Sequence, residues 1–105
     1  MGNNISLLDC SLRDGGYVNN WRWSESKAKS IVHNLSKSGV DVVEVGFLRD
    51  IEEYDSDVML ADNIDDLNNF CDEIIGQNTK CVFAAMMMNG GYDDSKLKPY
   101  AGTGI

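Results

Sequence analysis

An arginine and an aspartate stand side by side where the first apolar segment of the chain ends, and two glycines follow them. The run is Arg13-Asp14-Gly15-Gly16, and Glu44 interrupts the next apolar segment. An arginine offers a planar fork of N–H donors to a carboxylate or enolate oxygen, and an aspartate offers a hard oxygen to a divalent metal. The glycines would let a ligand approach the backbone closely. Together these residue types suit the stabilisation of an enolate beside a metal ion.

The same side chains also allow a purely structural interpretation. Arg13 could form an interior ion pair with Glu44 or with Asp14, which would only compensate buried charge. The spacing of the residues does not decide between a ligand site and an ion pair, so both interpretations stay open at the level of sequence.

The elements that position these residues alternate as β-α-β-α-β. Apolar patterns predict strands at Ile5 to Leu12, Val40 to Phe47 and Lys80 to Met87, and helices at Ser24 to Ser38 and from about Asp62 to Ile75. In the first helix, Ser24 is the expected N-cap, and Gly39 stands where a glycine commonly ends a helix. Crossovers of this length favour parallel strands in an α/β fold.

Within the first predicted strand the polar residues share one face. Period-2 alternation places Asp9, Ser11 and Arg13 opposite Leu8, Cys10 and Leu12. The third strand is almost continuously apolar, which is typical of a strand that is buried on both faces.

Two architectures fit this order of elements, a small doubly wound sheet and a segment of a (β/α)₈ barrel. A doubly wound sheet covers both faces with helices and seldom places several polar side chains on its strands. The mouth of a barrel gathers such side chains around a substrate, so we favour the barrel. We expect the 105 residues to form a single partial domain, the first three strands and two helices of a TIM barrel.

Composition excludes several classes of function. The chain is 43% hydrophobic and carries a formal charge of −8, which argues against binding to nucleic acid or to an anionic membrane. It shows no signal peptide and no apolar run long enough to span a bilayer, so we expect a cytoplasmic protein. The three cysteines have no metal-ligand spacing and are expected to be buried free thiols.

One stretch of the chain resembles a known signature. The residues Asp9-Cys10-Ser11-Leu12-Arg13-Asp14-Gly15 match the pattern D-x-[ST]-L-R-D-G of the superfamily of metal-dependent aldolases, 3-hydroxy-3-methylglutaryl-CoA lyases and isopropylmalate synthases. The longer runs LDCSLRDGGYVNNW and VEVGFL are most similar to its branch of 4-hydroxy-2-oxovalerate aldolase-like proteins. The match covers residues 5 to 48 well, and the rest only in the order of elements.

The resemblance implies a role for each matching residue. Arg13 would hold the oxo or enolate oxygen of the substrate, and Asp14 would be a ligand of a divalent metal, Mn²⁺ or Mg²⁺. Glu44 would support the site from the second strand. Asp9 and Ser11 would orient it from the first strand, with Ser11 and Gly15 close to the substrate.

The chain departs from the family pattern in two respects. A histidine that moves the proton of the substrate alcohol is replaced by Tyr17, whose ordinary pKa near 10 makes it a weak base at neutral pH. The His-x-His pair that completes the metal site is also missing, since His33 is the only histidine. We therefore expect an inactive N-terminal fragment that binds no metal by itself and that needs self-association or edge pairing to become ordered.

Several functions remain open. The first is that a parent enzyme cleaves a 4-hydroxy-2-oxo acid through a pyruvate enolate; for aldolases of this branch an NAD-dependent acylating aldehyde dehydrogenase is a common partner. A condensation with acetyl-CoA would use the same residues. The chain could instead be a degenerate barrel piece that serves binding or oligomerisation. A Schiff-base aldolase would need Lys80, which lies at the wrong end of its strand.

Overall fold

A computed structural model describes residues 5–75, 80–88, 90–97 and 105, and shows a mixed α/β fold with a parallel sheet. The elements in chain order are β1 (Leu8–Asp9), α1 (Ser11–Asp14), α2 (Gly16–Asn19), α3 (Glu25–Lys37), β2 (Val42–Leu48), β3 (Leu60–Ala61), α4 (Ile64–Ile75), β4 (Val82–Met87) and a 3₁₀ helix (Asp94–Lys96). Within these residues, no helix is long and apolar enough to cross a membrane.

Strand β2 lies at the centre of the sheet. β4 pairs with it in parallel along its whole length, while β1 pairs with Val42 and Val43 and β3 pairs with Phe47 and Leu48. A strand can pair along two edges. β4 occupies one edge of β2, so β1 and β3 both pair along its other edge. The register with β4 shifts between Glu44 and Gly46. The expected parallel pairing of successive strands is therefore confirmed, and the short strand β3 was not predicted.

The first strand is much shorter than the sequence pattern indicates. It ends at Asp9, and Ser11–Asp14 form a helical turn instead of continuing the alternation. The Asp9 carboxylate accepts a hydrogen bond from the backbone N–H of Ser11 at 2.9 Å, which turns the chain away from the sheet. The prediction that Ser11 and Arg13 share a strand face with Asp9 is therefore wrong.

Both long helices are confirmed, with small changes at their ends. Helix α3 begins after Ser24, whose hydroxyl accepts from the N–H of Lys27 at 3.4 Å, and Gly39 beyond its end has a φ of +95°. A left-handed φ is readily adopted only by glycine, so the expected helix stop is observed. The residue expected to close α4, Gly76, lies outside the described residues.

Strand β4 is not buried on both faces, contrary to the prediction. Phe83 is buried, but the side chain of Val82 is half exposed, and the remaining strand residues are partly covered. Among the described residues β4 pairs only with β2, so it forms an edge of the sheet. Its apolar composition therefore does not reflect a central position in this part of the fold.

The core lies between the sheet and the helices α3 and α4. Both helices contact β2 and also contact each other, which places them on the same side of the sheet. The largest fully buried side chains are Leu12, Val32, Val43, Val45, Phe47, Met59, Leu67 and Cys71. The thiols are free as expected, but only Cys71 is buried, whereas Cys10 and Cys81 are partly covered.

Candidate functional site

Asp9 and Ser11 build the turn that carries the other candidate residues. Besides its backbone bond, Ser11 donates its hydroxyl to the second carboxylate oxygen of Asp9 at 3.0 Å. The helical turn then continues through hydrogen bonds from the N–H of Asp14 to the Cys10 carbonyl, 2.7 Å, and from the N–H of Gly15 to the Ser11 carbonyl, 2.9 Å. The hydrogen bonds between Ser11 and Asp9 therefore fix the point at which the chain leaves β1 and enters the turn that carries Arg13 and Asp14.

Arg13 and Glu44 form the central contact of the site. Nε of Arg13 donates to Oε2 of Glu44 at 2.6 Å, and their side chains are only 16% and 10% exposed. The hydrogen bond that Arg13 donates to Glu44 is the main reason why the pKa of Arg13 rises above its ordinary value. Of the two interpretations that the sequence left open, the ion pair is thus present. The contact fixes one side of the guanidinium and leaves the charge of Arg13 intact.

Asp14 is far more accessible than its neighbour. Its side chain is 66% exposed, and its only ion pair among the described residues is a long one, 3.5 Å from Nη1 of Arg13. Within the same part of the chain, no group of three or more His, Cys, Asp or Glu side chains could hold a metal ion. Asp14 can supply one hard oxygen, so the described residues do not make a complete metal site.

Two tryptophans hold the backbone of the same turn. Nε1 of Trp21 donates to the carbonyl of Arg13 at 2.7 Å, and Nε1 of Trp23 donates to the carbonyl of Leu12 at 3.2 Å. These carbonyls lie at the end of a four-residue helix, where the last carbonyls lack the N–H partners that a longer helix would supply. The indoles thus fix the orientation of the peptide that carries the Arg13 side chain.

The two glycines of the signature make room for these indoles. A Cβ on Gly16 would lie 2.0 Å from Cδ1 of Trp21, and one on Gly15 would lie 2.4 Å from the Ser11 carbonyl oxygen and 3.3 Å from Cζ2 of Trp23. The close approach expected for a ligand is therefore made, at these positions, by other atoms of the chain itself. Neither tryptophan was identified from the sequence; the only signal was two indoles a residue apart, shortly after a glycine pair.

The backbone at Trp21 is unusual. Asn20 and Trp21 have φ values of +56° and +58°, in the left-handed region that bulky residues seldom adopt. The strained segment is held by neighbours, because the carbonyl of Trp21 accepts from the N–H of Met59 at 2.8 Å. Strain of this kind persists only where surrounding contacts enforce it, and it is often found at functional sites.

Tyr17 and Arg49 complete the surroundings of Trp21. The Tyr17 ring meets the Trp21 ring edge to face with centroids 4.8 Å apart, and its side chain is 58% exposed. The Arg49 guanidinium carbon lies 5.7 Å from the Trp21 ring and 5.4 Å from the Phe47 ring. Arg49 was not predicted as a site residue, since a single arginine at the end of a strand carries no recognisable pattern.

The remaining candidates lie apart from this cluster. Lys80 is exposed and precedes β4, so it lies at the amino end of that strand. Because β4 runs parallel to β2, the turn after β2 lies at the opposite end of the sheet. Among the three adjacent methionines, Met86 and Met87 pack against the core, and Met88 is 53% exposed. The structure joins Arg13 to Glu44 and to Asp14, whereas Tyr17 contacts Trp21, and Ser11 and Gly15 belong to the backbone turn that carries Arg13.

No protein-family model, no curated protein and no solved structure matches the chain. The assignment of a function therefore depends on the residues and contacts of the site itself.

Proposed function

We propose that this chain is the N-terminal β-α-β-α-β portion of a (β/α)₈ barrel that cleaves a carbon–carbon bond in a 4-hydroxy-2-oxo acid. The parallel strands β1, β2 and β4 are neighbours in the order in which they occur in the chain, and α3 and α4 cover one side of them. This is the arrangement of consecutive βα units in a barrel. This arrangement supports the barrel. An open parallel sheet whose strands follow the order of the chain has the same arrangement.

The contact between Arg13 and Glu44 carries the proposal. Arg13 follows β1, Glu44 lies within β2, and their hydrogen bond fixes the guanidinium beside the strands. Among the described residues the contacts of Arg13 use Nε and Nη1, and the Nη1 contact is weak at 3.5 Å. A guanidinium held on one side and free to donate on another is suited to an oxygen that gains negative charge in a reaction.

In the proposed reaction a base removes the proton of the 4-hydroxyl group. The bond between C3 and C4 then breaks, its electrons move into the 2-oxo group, and an aldehyde leaves. The resulting pyruvate enolate is stabilised by Arg13 and finally accepts a proton at C3. Tyr17 is the residue of this chain that we assign to moving the hydroxyl proton, since it lies next to Trp21, which holds Arg13.

The described residues offer one candidate ligand for a divalent metal. Asp14 is exposed and could serve as one ligand, but the described residues do not supply the others. Mn²⁺ or Mg²⁺ would require ligands beyond these residues. The chemistry proposed here is therefore confined to the residues of the chain itself.

The proposed enolate can be tested without knowing the aldehyde product. An enzyme that stabilises the pyruvate enolate exchanges the C3 protons of pyruvate with D₂O, which proton NMR measures directly. The native polypeptide that carries these residues is expected to accelerate this exchange in the presence of Mg²⁺. Arg13→Ala should slow it about 100-fold or more, as expected when a donor to a developing oxyanion is removed.

A matched control is available in Arg22. Its side chain is exposed and pairs with Asp55 at 3.3 Å, so Arg22→Ala removes the same charge from a side chain that is engaged with another partner. Exchange should be unchanged in this variant. Equal rates for the wild type and Arg13→Ala would contradict the proposed function.

A second candidate function is the binding of an acid ligand without chemistry. It is favoured by the same ion pair, because Glu44 holds one side of the Arg13 guanidinium in place, and a guanidinium held in this way can donate to a carboxylate without any reaction. Binding of pyruvate by the native polypeptide without any exchange of its C3 protons would support this alternative. An acetyl-CoA-condensing reaction would instead show exchange on the acetyl group.

A further inference from the structure

Arg49 occupies the point where β2 leaves the sheet. Its backbone N–H donates to the carbonyl of Ala61 at 3.0 Å, which extends the pairing of β2 with β3 by one residue. Its side chain is exposed, and its guanidinium carbon lies within 6 Å of the rings of both Trp21 and Phe47. These rings are themselves packed edge to face, 5.8 Å apart. The backbone and the aromatic contacts together fix where the positive charge lies.

The charge of Arg49 has no carboxylate partner among the described residues, although the chain is strongly acidic. The chain has three arginines, all of them described; Arg13 pairs with Glu44, and Arg22 pairs with Asp55. An aromatic ring attracts a guanidinium without neutralising its charge and without occupying its N–H donors. Arg49 thus presents hydrogen-bond donors that an anion can occupy.

Trp21 connects this arginine to the site already described. Its Nε1 donates to the carbonyl of Arg13, Tyr17 packs against its ring, and Arg49 lies near the same ring. One indole therefore contacts the two arginines and the tyrosine. The short strand β1 pairs with the first two residues of β2, and Arg49 follows the last residue of β2, so Trp21 is the side chain that joins the turn of Arg13 to the carboxyl end of β2.

We propose that Arg49 binds the carboxylate of a 2-oxo acid whose oxo oxygen is bound by Arg13. The proposal rests on the proposed function in one respect, that Arg13 faces the same ligand. A 2-oxo acid carries its carboxylate on the carbon next to the oxo group and can accept two N–H donors from a guanidinium. Arg49 would thereby select an oxo acid over a neutral ketone.

Oxalate is the probe for this assignment, because it carries adjacent carboxylate groups and cannot enolise. Its binding to the native polypeptide is measured by isothermal titration calorimetry. Arg49→Met retains an apolar side chain beside Trp21 and Phe47 and removes the charge. We expect oxalate to bind at least 10-fold more weakly to this variant, and binding by Arg49→Lys to be intermediate because the charge remains but the fork is lost.

Two controls separate ligand binding from structural damage. Arg22→Met should bind oxalate as the wild type does. Pyruvamide, which lacks the carboxylate, should bind equally to the wild type and to Arg49→Met, whereas a damaged fold would weaken both ligands. If Arg49→Met does not fold, Arg49→Lys with the same two ligands provides the comparison.

The outcomes distinguish this inference from the proposed function. Unchanged oxalate affinity in Arg49→Met, or no binding of oxalate to the wild type, would overturn the role of Arg49. If oxalate binding depends on Arg49 but no exchange of pyruvate protons occurs, the carboxylate site stands and the enolate chemistry fails. If exchange occurs and oxalate affinity does not depend on Arg49, the enolate chemistry stands and the carboxylate site at Arg49 fails.

Discussion

Nε of Arg13 and Oε2 of Glu44 lie 2.6 Å apart, although 31 positions separate the two residues in the chain. The contact joins the turn after β1 to the middle of β2. Glu44 is the only charged residue among the described residues that is buried. It is stable there because the Arg13 guanidinium compensates its charge and donates a hydrogen bond to its carboxylate.

Replacing Glu44 should reveal how much this pair contributes. Glu44→Gln retains the shape of the side chain but removes the charge, so Arg13 would be left partly buried without its counter-ion. We expect the free energy of unfolding to fall by about 1–3 kcal/mol, as measured by urea unfolding at neutral pH. The exposed Glu53→Gln is the control and should change it by less than about 0.5 kcal/mol. Equal effects of the two substitutions would show that the pair adds no stability.

Gly16 should be intolerant of any side chain. A Cβ at this position would lie 2.0 Å from Cδ1 of Trp21, and the indole is held by its bond to the Arg13 carbonyl. We expect Gly16→Ala to lower the free energy of unfolding by about 1–3 kcal/mol. At Gly91 the nearest atom would be at 3.4 Å, so Gly91→Ala serves as the control. A thermal denaturation curve of Gly16→Ala that matches the wild type would contradict the packing described here.

The thiol of Cys71 should make stability depend on pH in alkaline solution. Burial raises its pKa from the ordinary 9.0 to about 12. Above pH 9 the unfolded chain therefore releases a proton that the folded chain retains, so unfolding becomes more favourable as the pH rises towards the folded pKa. We expect the wild type to lose stability more steeply than Cys71→Ala over this range, measured by urea unfolding at several pH values. Cys10→Ala is the control and should keep the steep slope of the wild type.

Lys96 should restrain the segment that follows β4. Its Nζ lies 3.0 Å from Oδ1 of Asp50 and 2.6 Å from Oδ1 of Asp62, which lie in the loops after β2 and β3. These carboxylates raise the pKa of Lys96 above its ordinary value. We expect Lys96→Met to speed amide hydrogen exchange at Leu97, whose N–H bonds to the Asp94 carbonyl, while Lys37→Met does not. Unchanged exchange would show that the segment is held by other contacts, such as the hydrogen bond from the Tyr92 hydroxyl to the Asp62 carbonyl.

The order of elements and the two long helices could be predicted from local patterns. Ser24 and Gly39 mark the ends of α3 through capping and a left-handed backbone, and both effects depend only on neighbouring residues. The end of β1 could not be predicted in the same way. There the side chain of Asp9 competes with strand pairing by accepting from Ser11, and alternation of polar and apolar residues does not report this competition.

The candidate site was only partly predictable for a related reason. The sequence by itself indicated that Arg13 and Asp14 follow the first strand and that Glu44 lies within the next one, because residue type and hydrophobic period are local properties. Only the tertiary structure decided that Arg13 pairs with Glu44, that Trp21 and Trp23 hold the turn, and that Arg49 lies beside the Trp21 ring. These contacts join residues distant in the chain, and they depend on the register of β1 with β2 and on the strained path at Trp21, neither of which residue types specify.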